Sequence, residues 1–211
     1  MKQAQIFVFG DSITYGAWDK ESGWAARLRR FLDEKNMSEK CDFEVYNLGI
    51  PGNTTTDVLE RFEFELKQRL DEDMDIIVIF AIGENDAQFI HSQESLRTAS
   101  DIFKKNIQKL AQLAQKYTSK IIFVGLLPVV ESKTTPFPWN RDKSYKNQNI
   151  ALHNAALKSF CKEKKLDFVD LFDTWYAKKI EGFLDADGLH PNDEGHKRIF
   201  EKVKECLKKY L

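Results

Sequence analysis

Residues 76–82 read Ile-Ile-Val-Ile-Phe-Ala-Ile, and no other stretch restricts the possible folds as much. A run this apolar and β-branched suits a strand of a parallel sheet covered on both faces. It is far shorter than the ~20 residues that span a bilayer, so no membrane insertion is expected. A second such run covers 120–126, and shorter strand candidates lie at 5–9, 43–47 and 168–170. Between them apolar residues recur every three or four positions, the helical period. The series are Trp24, Leu28 and Phe31; Leu59, Phe62, Leu66 and Leu70; and Leu96, Ala99, Phe103, Ile107, Leu110, Ala114 and Tyr117. A fourth spans 145–164 through Ile150, Asn154, Leu157 and Cys161, and the last runs through Ile199, Val203 and Leu207. Five alternations of strand and helix predict a three-layer α/β/α sandwich on about five parallel strands. With no internal repeat and no Gly/Ser linker, residues 1–211 are read as one domain.

Charge and cysteine usage narrow the function classes. Lys and Arg number 32 against 33 Asp and Glu, a net charge of -1 that supplies no electrostatic footprint for nucleic acid. The opening apolar run, residues 6–9, is shorter than a signal-peptide core of ~7–15 residues. Cys41, Cys161 and Cys206 show no paired spacing. A reducing, cytoplasmic setting is expected, unless a leader has been removed, with a small molecule as the partner.

In an open parallel sheet, ligands gather beyond the carboxyl ends of the strands. Gly10-Asp11-Ser12-Ile13-Thr14 follows the first strand, Gly49-Ile50-Pro51-Gly52-Asn53-Thr54 the second and Gly83-Glu84-Asn85-Asp86 the third. Asp187-Gly188-Leu189-His190-Pro191 precedes the last helix. A serine hydroxyl is a poor nucleophile until a neighbouring base takes its proton. At a strand-to-helix turn, Ser12 stands among N–H groups that favour developing negative charge. The same placement serves equally as a helix cap or a phosphate site. His190 is the candidate base, because imidazole exchanges a proton near neutral pH. Asp187, three residues earlier in a turn, can reach the other ring nitrogen, fix the tautomer and stabilise the imidazolium. Read alone, an Asp-x-x-His is no more than a solvated loop. Acyl transfer also needs donors for the oxyanion. The Ser12 N–H, the Gly52 N–H and the Asn85 side-chain amide are available, one such donor being worth about 3–4 kcal/mol.

Together these blocks resemble the SGNH subgroup of the GDSL esterases and lipases. That subgroup is named for a serine, glycine, asparagine and histidine that correspond here to Ser12, Gly52, Asn85 and His190, with Asp187 beside the histidine. Order and spacing match from residue 10 to residue 196. The resemblance implies a flavodoxin-like α/β/α fold and metal-independent, cofactor-free ester hydrolysis with broad substrate tolerance. The nucleophile block reads Gly-Asp-Ser-Ile rather than Gly-Asp-Ser-Leu, an exchange of similar apolar volume. The G-x-S-x-G elbow of α/β-hydrolases is absent, Thr14 standing in place of its last glycine. The expected function is serine-dependent cleavage of short-chain acyl or acetyl esters through an acyl-enzyme. Lysophospholipid or thioester hydrolysis, or acyl transfer, would use the same residues. A phosphate- or flavin-binding module is the rival of another class, and it leaves Asp187 and His190 without a role.

Tyr15 and Trp18, within two helical turns of Ser12, are candidates for the substrate pocket. So are Phe137 and Trp139, in a Pro-rich segment over 128–146 that is expected to form a partial lid; the same rings serve equally to pin it to the body. Asp187, His190, Asp193 and His196 lack H-E-x-x-H or C-x-x-C spacing, and no metal site is expected. His196 is expected to pack or bond locally, His91 and His153 to be surface or helix residues, and Asp11 and Asp86 to be structural carboxylates, with tuning of the site as the alternative.

Overall fold

A computed structural model describes residues 2–38, 40–176 and 180–211. In chain order its strands are β1 (Lys2–Gly10), β2 (Cys41–Gly49), β3 (Asp75–Ala81), β4 (Phe89–Ile90), β5 (Ser95–Leu96), β6 (Lys120–Val124), β7 (Lys143–Ser144) and β8 (Asp167–Val169). Its helices are α1 (Ser12–Tyr15), α2 (Gly23–Ser38), α3 (Thr55–Lys67), α4 (Ser100–Ala114), α5 (Glu131–Thr134), α6 (Asn147–Lys164), α7 (Phe172–Tyr176) and α8 (Asp193–Leu207). The main sheet runs β2-β1-β3-β6-β8 with every pair parallel, and a small antiparallel sheet runs β5-β4-β7.

Successive side chains of a strand point to opposite faces, and here the two faces differ in kind. Ile6 and Val8 of β1, Ile77 and Ile79 of β3, and Ile122 and Val124 of β6 pack with Trp24 and Leu28 of α2 and Ile199 and Val203 of α8. The residues between them, Phe7 and Phe9, Val78 and Phe80, Ile121 and Phe123, pack with Phe62 of α3, Phe103 and Ile107 of α4, and Leu157 of α6. The runs are continuously apolar because both faces are covered. On the second face the rings form a ladder, with centroids 4.9 Å apart for Phe9 and Phe62, 5.6 Å for Phe62 and Phe80, and 5.1 Å for Phe80 and Phe123. Truncating one such ring to alanine costs about 3–5 kcal/mol, cavity included.

The chain leaves β1 through α2 to reach β2 on one side, then crosses back through α3 to β3 on the other. The order therefore reverses between β1 and β3, and the crevice beyond their carboxyl ends is where such sheets bind ligands. This is the three-layer sandwich the sequence predicts, with differences in detail. The helix read from Leu96 begins at Ser100, because Leu96 pairs with Phe89 in the small sheet. The helix read from Tyr145 begins at Asn147, because the Tyr145 N–H donates to the Thr134 carbonyl. Leu70 lies beyond the end of α3 at Lys67. Segment 128–146 is not an open loop, since it carries α5 and β7. Among the described residues no helix is long and apolar enough to cross a membrane.

Candidate active site

The turn after β1 is as tight as a backbone allows. A Cβ on Gly10 would lie 2.0 Å from Thr14 Oγ1 and 2.5 Å from the Ala81 carbonyl oxygen, so only glycine fits. Asp11 caps α1 by accepting the Ile13 N–H at 2.9 Å, which makes Ser12 the first helical residue. The helix lasts one turn and stops at Gly16, φ 91°, in a left-handed cap. Trp18 therefore lies past the helix rather than on it, in a loop that holds its own φ at 67°.

The second element is a short hairpin-like turn before α8. Leu184 bridges Pro191, and the Asp185 N–H donates to the His190 carbonyl at 2.8 Å. Gly188 at its tip has φ 73°, and its carbonyl accepts the Val130 N–H at 2.9 Å. Within the turn, Asp187 Oδ1 accepts the N–H groups of Leu189 at 2.9 Å and His190 at 3.0 Å. Asp187 Oδ2 lies 2.5 Å from His190 Nδ1, and His190 Nε2 lies 2.9 Å from Ser12 Oγ, across 178 positions of sequence. An ionised carboxylate only accepts, so the imidazole proton sits on Nδ1 and the Nε2 lone pair faces the hydroxyl. Burial by itself raises the Asp187 pKa. The His190 ring, its charge and the two N–H donors outweigh that and hold the carboxyl below its ordinary value. The arrangement can take a proton from Ser12 and stabilise the resulting imidazolium.

Gly52 has φ 81°, and no atom lies within 4 Å of where its Cβ would be, so this side of the turn is open. The backbone bonds of that turn run from Ile50 N–H to Gly10 O and from Asn53 N–H to Ile50 O, which leaves the Gly52 N–H out. Asn85 gives one amide hydrogen to the Asn53 carbonyl at 3.0 Å, while its Oδ1 accepts the Tyr145 hydroxyl at 2.8 Å. The second amide hydrogen is thereby aimed by two fixed partners. Arg61 ties the turns together, donating to the carbonyls of Gly10 at 3.2 Å and Leu48 at 2.8 Å, and to Asn53 Oδ1 at 2.9 Å.

Ser12, Gly52, Asn85 and His190 open onto one cleft of about 650 Å³, together with Tyr15, Trp18, Phe137 and Trp139. Trp18 and Trp139 are each 61% exposed and meet edge to face at 5.6 Å. Their rings lie 6.0 and 6.4 Å from that of His190. The Trp18 indole nitrogen is 3.2 Å from His190 Nδ1. That nitrogen already gives its hydrogen to Asp187 and has no lone pair to offer, so the contact is packing rather than a hydrogen bond. Phe137 is buried between Trp139 at 5.2 Å and Tyr145 at 5.4 Å. Phe137 packs its segment against Tyr145, and Trp139 stands at the opening of the cleft.

Asp86 is structural, accepting the Thr55 N–H at 2.9 Å and the Thr55 hydroxyl at 2.6 Å. His196 is fully buried with neither ring nitrogen hydrogen-bonded, and burial pushes its pKa down to about 4. His153 is in a helix but buried against Phe103 at 4.5 Å, and His91 is exposed, 2.8 Å from Ser144 Oγ. Among the described residues, no group of three or more His, Cys, Asp or Glu is placed to hold a metal ion. Sequence reading missed Tyr145, and with it Gln88, Arg97 and Lys143, which also line the cleft.

Residues 8–198 match the model of the GDSL-like Lipase/Acylhydrolase family. Esterase TesA of Pseudomonas aeruginosa is 26% identical over 208 residues, covering 98% of this chain and 89% of that protein. The crystal structure of a lipase/acylhydrolase from Enterococcus faecalis superposes with a TM-score of 0.75 at 23% identity, covering 99% of this chain and 96% of the other. The structure of an acetyl xylan esterase from Geobacillus stearothermophilus gives a TM-score of 0.73 at 19% identity over 98% and 94% of the two chains.

Proposed function

This chain belongs to the GDSL-like lipase/acylhydrolase family and is a serine ester hydrolase, and on that premise we propose that Ser12, His190 and Asp187 carry the reaction on acetyl and other short-chain esters. Ser12 Oγ attacks the ester carbonyl carbon as His190 Nε2 takes its proton, and Asp187 holds the imidazolium. The oxyanion that forms is met by the Ser12 and Gly52 N–H groups and the free amide hydrogen of Asn85. Collapse breaks the bond to the alcohol, which leaves with the proton from Nε2. Water, deprotonated by His190, then attacks the acyl-serine and releases the acid. The observation that carries this reading is the unbroken contact chain from Ser12 Oγ through His190 to Asp187, 2.9 and 2.5 Å. Two indoles crowding His190 support a short acyl group. The three cysteines are free, which supports a cytoplasmic setting as part of the proposal; cell fractionation checks it.

The test is turnover of 4-nitrophenyl acetate. Ser12→Ala should lower it by about 10⁴-fold or more with the thermal transition preserved, and a chelator should leave the wild type unchanged. A fluorophosphonate should label Ser12. A Ser12→Ala protein with undiminished activity, or a yellow protein that resists the probe, would overturn the reading.

A further inference from the structure

One wall of the cleft takes no part in the chemistry above. It is the small sheet β5-β4-β7, in which Phe89 pairs with Leu96 and Ser144, and Ile90 with Ser95 and Lys143. One rung beyond, Gln88 stands opposite both Arg97, whose N–H donates to the Gln88 carbonyl at 2.7 Å, and Tyr145. Lys143 is two residues from Tyr145 and so belongs to the same face. Gln88, Arg97, Lys143 and Tyr145 all line the cleft that holds Ser12 and His190.

Tyr145 is accounted for by Asn85 and in turn bonds the side chain of Gln88, but Arg97 and Lys143 are not so engaged. Gln88 is 2% exposed and its Oε1 has no hydrogen-bond partner. Arg97 and Lys143 make no ion pair among the described residues. The carboxylates nearby are held by other groups, though Asp142 also lends its charge to the adjacent Lys143. Asp142 accepts the N–H and hydroxyl of Ser92, both at 2.7 Å, and Asp19, which also lines the cleft, pairs with Arg27 and accepts the Gly23 N–H. The wall therefore offers two cations, neither with a carboxylate at ion-pair distance among the described residues.

We propose that this face binds the alcohol part of the substrate, and that the alcohol carries an anionic group, carboxylate or phosphate. Arg97 and Lys143 pair with the anion. The inference rests on the ester-hydrolase reading and adds to it. Because the acyl part is short, only the alcohol can reach a charged wall.

Two matched pairs test it: O-acetylglucose against O-acetylglucuronate, and acetylglycerol against acetylglycerol phosphate. The anionic member of at least one pair should have a kcat/KM about ten-fold higher, the low end for a charge-assisted contact because Arg97 is exposed. Which pair shows it tells carboxylate from phosphate. The Arg97→Gln/Lys143→Gln protein should bring the ratio near one, Arg97→Glu should invert it, and Arg97→Lys should retain it. Taking a ratio within each protein cancels any loss of folded enzyme. A wild-type ratio near one in both pairs, or a ratio unmoved by the double substitution, overturns the proposal. So does failure to cleave all four while 4-nitrophenyl acetate is cleaved. Failure on 4-nitrophenyl acetate itself strikes the hydrolase reading instead.

Discussion

Asp187 and the trio Asp11, Glu84 and Asp86 are carboxylates around the same crevice, none more than 8% exposed, yet their surroundings act on them in opposite directions. Burial penalises the charge on each of them. Asp187 escapes because an imidazole and two N–H groups bond it. Asp11 has the Ile13 N–H and the more distant charge of His190, and burial leaves its pKa raised from 3.8 to about 6. Glu84 has one N–H, from Leu127 at 2.5 Å, and burial together with the like charge of Asp11 holds it well above the carboxylate range. Asp86 stays raised by burial despite the bonds from Thr55. A bonded imidazole that can become positive, rather than the number of donors, sets Asp187 apart from Asp86, which the Thr55 N–H and hydroxyl and the Thr98 side chain also bond.

That contrast can be broken in three places. The largest effect is expected from Asp187→Asn, which removes the acceptor for Nδ1–H and favours the wrong tautomer; kcat should fall by about 10⁴-fold with the fold intact. A steady-state loss below about ten-fold would erase the distinction. Next is Asp11→Asn, which keeps the cap oxygen and removes the charge. Its folded pKa lies above the unfolded one, so wild-type Asp11 erodes stability as pH rises from about 4 to about 6, by about 3 kcal/mol in all. The variant should gain that at pH 8 and lose the gain at pH 4, read as urea midpoints. Asp187 runs the other way: its pKa is lowered, so its contribution is present above the ordinary carboxylate pKa and disappears as pH falls through the folded value. An Asp11→Asn gain that ignores pH would place its cause elsewhere. The smallest effect is expected from Glu84→Gln, which keeps the shape and the acceptor for the Leu127 N–H. Turnover should change by no more than a few-fold, and a loss of about 100-fold would move Glu84 into the company of Asp187.

The sheet was legible because its central strands are long enough to show doubly covered apolar runs, and the four chemical blocks were legible because each follows a strand or precedes a helix. The small sheet was not. Its strands are two residues each, too short to carry a period, so Leu96 joined the helical series of the residues after it. Trp18 was placed within helical reach of Ser12 because nothing before Gly16 announces so early an end to α1. Gln88, Arg97, Lys143 and Tyr145 scatter over 58 positions and share a face only through antiparallel register, which no linear motif encodes.

Arg61 has a consequence for tolerance to change. One guanidinium holds the carbonyl that precedes the Ser12 turn, the end of the neighbouring strand and the side chain next to Gly52, so the Ser12 hydroxyl and the Gly52 N–H share a common anchor. Thermal displacement of either turn is then largely shared, and their relative alignment error stays small even when both move. A lysine, with its compact ammonium, could not span three acceptors in one plane. Precision at this crevice is held by a residue that does not itself line the cleft.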